Sequence, residues 1–188
     1  MTTAMSRIHQ HVMFTRGGRL VMRRQHLRRM PHDLRMSREI SDDENPEDFI
    51  RSGQFAILSA SKADASDAEN EKRTVELINA VMEAGYRVYP AIGYYTYREG
   101  PHAGTTVTEQ SILVPSMPPV VADRMARRWS QESYIVGSHL RFTSGSTPVV
   151  FDSSKTKFGH DANREDAKTE VFINGRVVKF SLQPLQTA

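Results

Sequence analysis

The sequence predicts an α/β fold, with α+β as the alternative: one mixed, twisted sheet with two main helices, an N-terminal βαβ unit and a C-terminal antiparallel hairpin. Three observations carry this expectation. An apolar run at 54–60 leads through a polar turn into one amphipathic helix, and Gly85 ends that helix before a second apolar run, YRVYPAI. A strand, a helix and a strand in succession form the minimal right-handed crossover, which implies two parallel strands. Near the C-terminus, Asn174-Gly175 lies between alternating apolar positions, the strongest short hairpin signal.

The elements follow in order. Residues 1–40 form a basic arm, and those at 1–39 hold nine arginines, no lysine and two acids, Asp33 and Glu39, for a net of +7. The rest of the chain then carries a net of −4, because the whole is +3. Clustered arginines neutralise phosphates and release counterions, so Arg23, Arg24, Arg28 and Arg29 are the candidate nucleic-acid contacts. The spacing also predicts a short helix from Leu20 to Met30, stopped by Pro31. A third reading starts from composition, which changes abruptly near Met36. There the stretch upstream is an over-extended start and the native chain begins at Met36.

Residues 41–47 (SDDENPE) are an acidic linker, and Pro46 opens a short helix. A single domain is expected over 48–183. Phe55, Ile57 and Leu58 read as a strand covered on both faces. Ser66 and Glu69 fit a capping box, and Val75, Ile78, Val81 and Met82, with Leu77 at the edge, make the apolar stripe of the helix that follows. The segment Gly93–Gly104 reads as turn-rich, with Tyr94, Tyr95, Tyr97, Arg98 and His102.

VTEQSILVP is a strand ended by Pro115, and Pro118-Pro119 open a second helix whose core face is Val121, Met125 and Trp129. SYIVGS, LRFTS and TPVVFD are short strands, and 153–169 reads as a charged loop. Residues 184–188 are expected to fray.

The totals exclude some chemistry. With no cysteine there is no disulfide, thiolate nucleophile or cysteine metal site, which suits a cytoplasmic protein. No apolar run approaches the roughly 20 residues of a membrane helix, so no membrane partner is expected. His102, His139 and His160 lack the spacing of a metal site, even with Asp152 or Asp161 beside them. No motif names a cofactor.

At Ser59-Ala60, Glu69-Asn70-Arg73, Gly85-Tyr86, Glu109-Ser111-Leu113-Val114 and Gln131-Ser133 the chain resembles a family. It is the domain-of-unknown-function family numbered three-two-nine-three, with related small proteins of bacteriophages and plasmids. The resemblance covers about residues 54–137, and the loop at 94–106 is longer than the family pattern. It implies a phage or mobile-element origin and brings no established reaction.

The sharpest site set is Ser59, Asn70, Arg73, Gln131 and Ser133 as ligand contacts, with Glu109 as a general base. Polar residues at strand ends and first helical turns converge at the rim of an open sheet, where Arg73 would clamp phosphate or carboxylate. Each residue also has a plain structural use, such as a backbone hydrogen bond beside the cap. No Gly-x-Ser-x-Gly elbow accompanies Ser59 or Ser133. Tyr94, Tyr95, Tyr97 and Arg98 could stack on single-stranded bases or contact protein.

Three functional expectations follow. The first is an accessory protein that binds a host or phage protein, or a small anionic ligand, in host takeover or counter-defence. The second is an enzyme acting on a nucleotide or nucleic acid. The third is a virion-associated protein tethered by its basic arm.

Overall fold

The computed structural model describes residues 40–41, 44–96 and 103–185, together with the backbone of 12–14 and 20–22. It divides into two units, Met1–His32 and Asp33–Ala188. In the first, β1 (Val12–Phe14) and β2 (Leu20–Met22) pair antiparallel, Val12 opposite Met22. The expected helix from Leu20 to Met30 is thus corrected at its start, where Leu20–Met22 is strand. Gly17-Gly18 between two apolar triplets is the hairpin signal that outweighs helical spacing. Arg23, Arg24, Arg28 and Arg29 lie outside the described residues.

The second unit runs α1 (Pro46–Arg51), β3 (Phe55–Ser59), α2 (Asp67–Glu83), β4 (Tyr89–Thr96), β5 (Thr106–Pro115), α3 (Pro119–Arg128) and β6 (Ser133–Val136). It continues with β7 (His139–Phe142), β8 (Val149–Phe158), α4 (Gly159–Ala162), β9 (Ala167–Ile173) and β10 (Arg176–Pro184). Strands β3 to β10 close into a barrel in the order β10-β8-β7-β6-β3-β5-β4-β9. Every neighbouring pair is antiparallel.

This overturns the expected α/β sheet. β3 and β4 do run in one direction, but β5 lies between them and pairs antiparallel with both. The strand–helix–strand pattern specifies that the chain crosses over. It does not specify which strand later fills the gap. The charged loop expected at 153–169 is a second correction, since it holds the end of β8, α4 and the start of β9. Its lysines stand on outer positions and polar Thr156 and Thr169 fill inner ones, which hides the strand alternation. A third is that β4 continues through Thr96, so the segment from Gly93 begins as strand.

Alternation along each strand sorts the core into two clusters. Inside the barrel are Phe55, Ile57, Ala91, Leu113, Val171, Ile173, Val178 and Phe180, joined at one end by Phe49 and Ile50 of α1. The rings of Phe49, Phe55, Phe180 and Phe158 follow one another at 6.2, 6.2 and 6.4 Å. An eight-stranded barrel is just narrow enough for side chains to fill.

Outside, Ala56, Leu58, Ile112 and Val114 pack under Leu77, Ile78 and Val81 of α2 and Ala122, Met125 and Ala126 of α3. β3 is therefore covered on both faces, with all five residues buried. The outer faces of β9 and β10 carry Lys168, Glu170 and Lys179, with Glu170 and Lys179 2.8 Å apart. Apolar inside and charged outside is the reverse of a lipid-facing barrel. Among the described residues no helix is long and apolar enough to cross a membrane.

The ends of the elements follow local rules. Ser66 Oγ accepts from Glu69 N at 3.3 Å and caps α2. Gly85 (φ 88°) closes it, with Gly85 N donating to Met82 O and Tyr86 N to Val81 O. Asn174 (φ 48°) and Gly175 (φ 80°) make the tight turn between β9 and β10. Ile40 is buried, takes a hydrogen bond from Asn174 Nδ2 and gives one to Tyr89 Oη. At the other end Pro184 pairs with Phe151 and Leu185 N donates to Val150 O.

Candidate functional site

The end of the barrel away from α1 is a rim built from the close of β3, the middle of β5, the start of α2 and the turn between α3 and β6. Strand register decides which side chains enter the barrel there. Ser59 pairs with Ser111, Ala91 with Ser111, and Gly93 with Glu109. Ala91 and Leu113 are interior, so Ser111 and Glu109, two and four residues from Leu113, share the inner face. Ser59 does so through Ile57, and Ser133 through Ile135. Ser59 and Ser111 are buried, while Glu109 is partly open to solvent.

Glu109 is the chemical centre of this rim. Burial pushes its carboxyl above the ordinary value of 4.5, and the Ser59 hydroxyl partly offsets that by hydrogen bonding. Ser59 has one proton and two acceptors to choose from, since its Oγ also lies 2.7 Å from Gln110 O. Ser111 Oγ donates to Glu109 O at 3.5 Å. Opposite stands Gly93, where an added Cβ would lie 3.8 Å from both Glu109 O and Ser111 Oγ. A methyl group would thus fit there in ordinary contact with the backbone of Glu109. Tyr95 and Val107, on the same inner face farther out, are both exposed.

The remaining expected residues meet at the same rim on the outside, where their polar atoms serve the backbone. Arg73 Nε donates to Ala60 O at 2.6 Å and its Nη2 to Trp129 O at 2.7 Å, fastening β3 to the end of α3. Asn70 closes the turn before α2, accepting from Lys62 N at 2.8 Å and donating to Lys62 O at 3.0 Å. Gln131 O accepts from Thr143 Oγ1, and Gln131 Oε1 is buried with no partner among the described residues. Gln110 Oε1, on the outer face of β5, is in the same condition. A buried acceptor without a donor is costly, so such oxygens favour a partner that supplies N–H or O–H groups.

The tyrosines part company. Tyr94 faces outward beside Lys168, whose Nζ lies 5.7 Å from the ring, whereas Tyr95 faces inward; Tyr97, Arg98 and His102 lie outside the described residues. His139 begins β7 and His160 contacts Arg164 at 3.2 Å. Gly93 and Ser111 complete the rim without having been expected there. The available signal was a glycine inside a strand pattern, which marks a close approach or a gap. No protein-family model matches this chain, and no curated protein matches it.

Proposed function

We propose that this protein is a binding module whose barrel rim, centred on Glu109, receives a group rich in hydrogen-bond donors, such as an amine or guanidinium. The observation that carries the reading is the Glu109 carboxyl on the inner face of β5, opposite Gly93 in the strand register and held above its ordinary pKa by burial. A carboxyl at that position repels anions and rewards a cation or N–H donor that restores what desolvation removed. With Arg73 engaged by two carbonyls, the anionic ligand expected at this rim loses its clamp.

The resemblance over 54–137 supports a phage or mobile-element accessory role, acting in the host cytoplasm. The donor would then be a small metabolite or a side chain of a host or phage protein. A panel of small amines and guanidines tests the site by thermal shift. Members that raise the melting temperature of the native protein should lose that effect in Glu109→Gln, and a panel without effect, or one unaffected by Glu109→Gln, contradicts the reading.

The same raised carboxyl supports a second reading, an acid–base enzyme acting on a nucleotide, with Glu109 as the base. Nucleotide turnover by the native protein that falls by about a hundredfold or more in Glu109→Gln distinguishes it.

A further inference from the structure

The opposite end of the barrel holds a cleft of about 620 Å³. It is built where the α1–β3 loop, the β5–α3 loop and the β6–β7 turn meet, and Arg51, Ser116, Ser138, His139, Arg141 and Ser153 line it. Among the described residues lining it there is no carboxylate. A cleft with two guanidiniums, an imidazole and hydroxyls from separate elements offers donors from several directions, the arrangement that suits a tetrahedral oxyanion.

Both arginines are positioned. The Arg51 guanidinium sits over the Phe158 ring, 4.5 Å from its centroid. Arg141 Nε is buried and has no partner among the described residues. Its charge is felt by Asp123, whose oxygens are already engaged by Arg127 Nε at 2.8 Å and Tyr134 Oη at 3.0 Å. An Nε–H in that state costs stability unless something accepts from it. The turn between β6 and β7 is fixed against the cleft: Gly137 N donates to Phe55 O at 2.8 Å, and Phe151 N to Ser138 O at 2.7 Å. The backbone that carries Ser138 and His139 is therefore fixed before any ligand arrives, which lowers the ordering cost of binding.

We infer that this cleft is an anion site, separate from the Glu109 rim, that takes phosphate or the phosphate group of a small monoester. Arg141 supplies one guanidinium to the cleft lining, Arg51 the second cation, and Ser138 and Ser153 the hydroxyls. The test is a titration of the isotopically labelled full chain with inorganic phosphate and, separately, with glycerol phosphate, ionic strength being held constant with chloride. Saturable shifts of the Gly137, Ser138 and His139 amides are expected. Affinity should fall about tenfold or more in Arg141→Gln and stay unchanged in Lys72→Gln, which alters an exposed lysine on α2.

Tighter binding of glycerol phosphate assigns the site to an ester, and tighter binding of inorganic phosphate to the free anion. Should Arg141→Gln fail to fold, Arg51→Gln at the exposed end of α1 is expected to weaken binding in the same sense. Shifts that do not saturate, that centre on the Glu109 rim, or that persist unchanged in the arginine variants would overturn the inference.

Discussion

Arg73 and Glu109 show how one residue's surroundings decide its use. Arg73 gives two charge-assisted hydrogen bonds to carbonyls on different elements. Arg73→Ala should therefore cost about 2–4 kcal/mol in chemical denaturation, with Arg73→Lys recovering only part because an ammonium lacks the planar fork. Glu109 acts in the opposite sense. Its folded pKa is raised by burial, so the native protein holds the proton more tightly than the unfolded chain does. Stability from the protonated carboxyl is complete below the unfolded value of 4.5 and is lost as pH rises through the folded value. Glu109→Gln should accordingly raise the melting temperature at neutral pH, and the difference should vanish below pH 4. Both residues were legible as polar groups near a rim. That Arg73 stays outside and Glu109 turns inside depends on strand register, which no local pattern carries.

At the scale of elements, the turns and caps were the most readable features because their chemistry is local. Ser66 caps α2, and Ser66→Ala should cost about 1 kcal/mol. The Asn174-Gly175 turn and the proline-led starts of α1 and α3 likewise stand where their residues direct. The far half of β8 and the start of β9 were missed for an equally physical reason. Lys155, Lys157 and Lys168 occupy outward or rim positions, so the apolar residues that define the strands are too sparse to show a period. The β6–β7 turn carries a constraint invisible in sequence. Gly137 has φ 58°, and an added Cβ would lie 2.9 Å from Gly53 O. Gly137→Ala combines an unfavourable dihedral with a backbone clash, so a loss of about 2 kcal/mol or more is expected from denaturant midpoints.

Over the whole molecule, the expected open sheet and the observed barrel share most of their strands and differ in how the last ones return. β8, β9 and β10 close the circle, with β9 joining β4 and β8 joining β7. Long-range partners of that kind leave little trace in a local window, which is why the crossover was read and the closure was not. The anion cleft was hidden for a related reason, since Arg51 and Arg141 come together only when α1 and β7 reach one end of the barrel. Closure is uneven. β4 and β5 pair over eight residues, whereas β7 and β8 share two registered pairs, His139 with Val150 and Leu140 with Val149. Amide exchange should therefore be slowest in β3, β4 and β5 and much faster along β7; equal protection across that seam would count against so short a β7–β8 pairing.

Everything proposed for the rim rests on a carboxyl that closure places inside the barrel and partly strips of water. The direct test is a carbon-13 titration of the Glu109 side-chain carboxyl in the intact chain. The barrel account predicts a midpoint clearly above 4.5. A midpoint at or below that value would mean a solvated carboxylate on an open surface, and the rim site would fall with it.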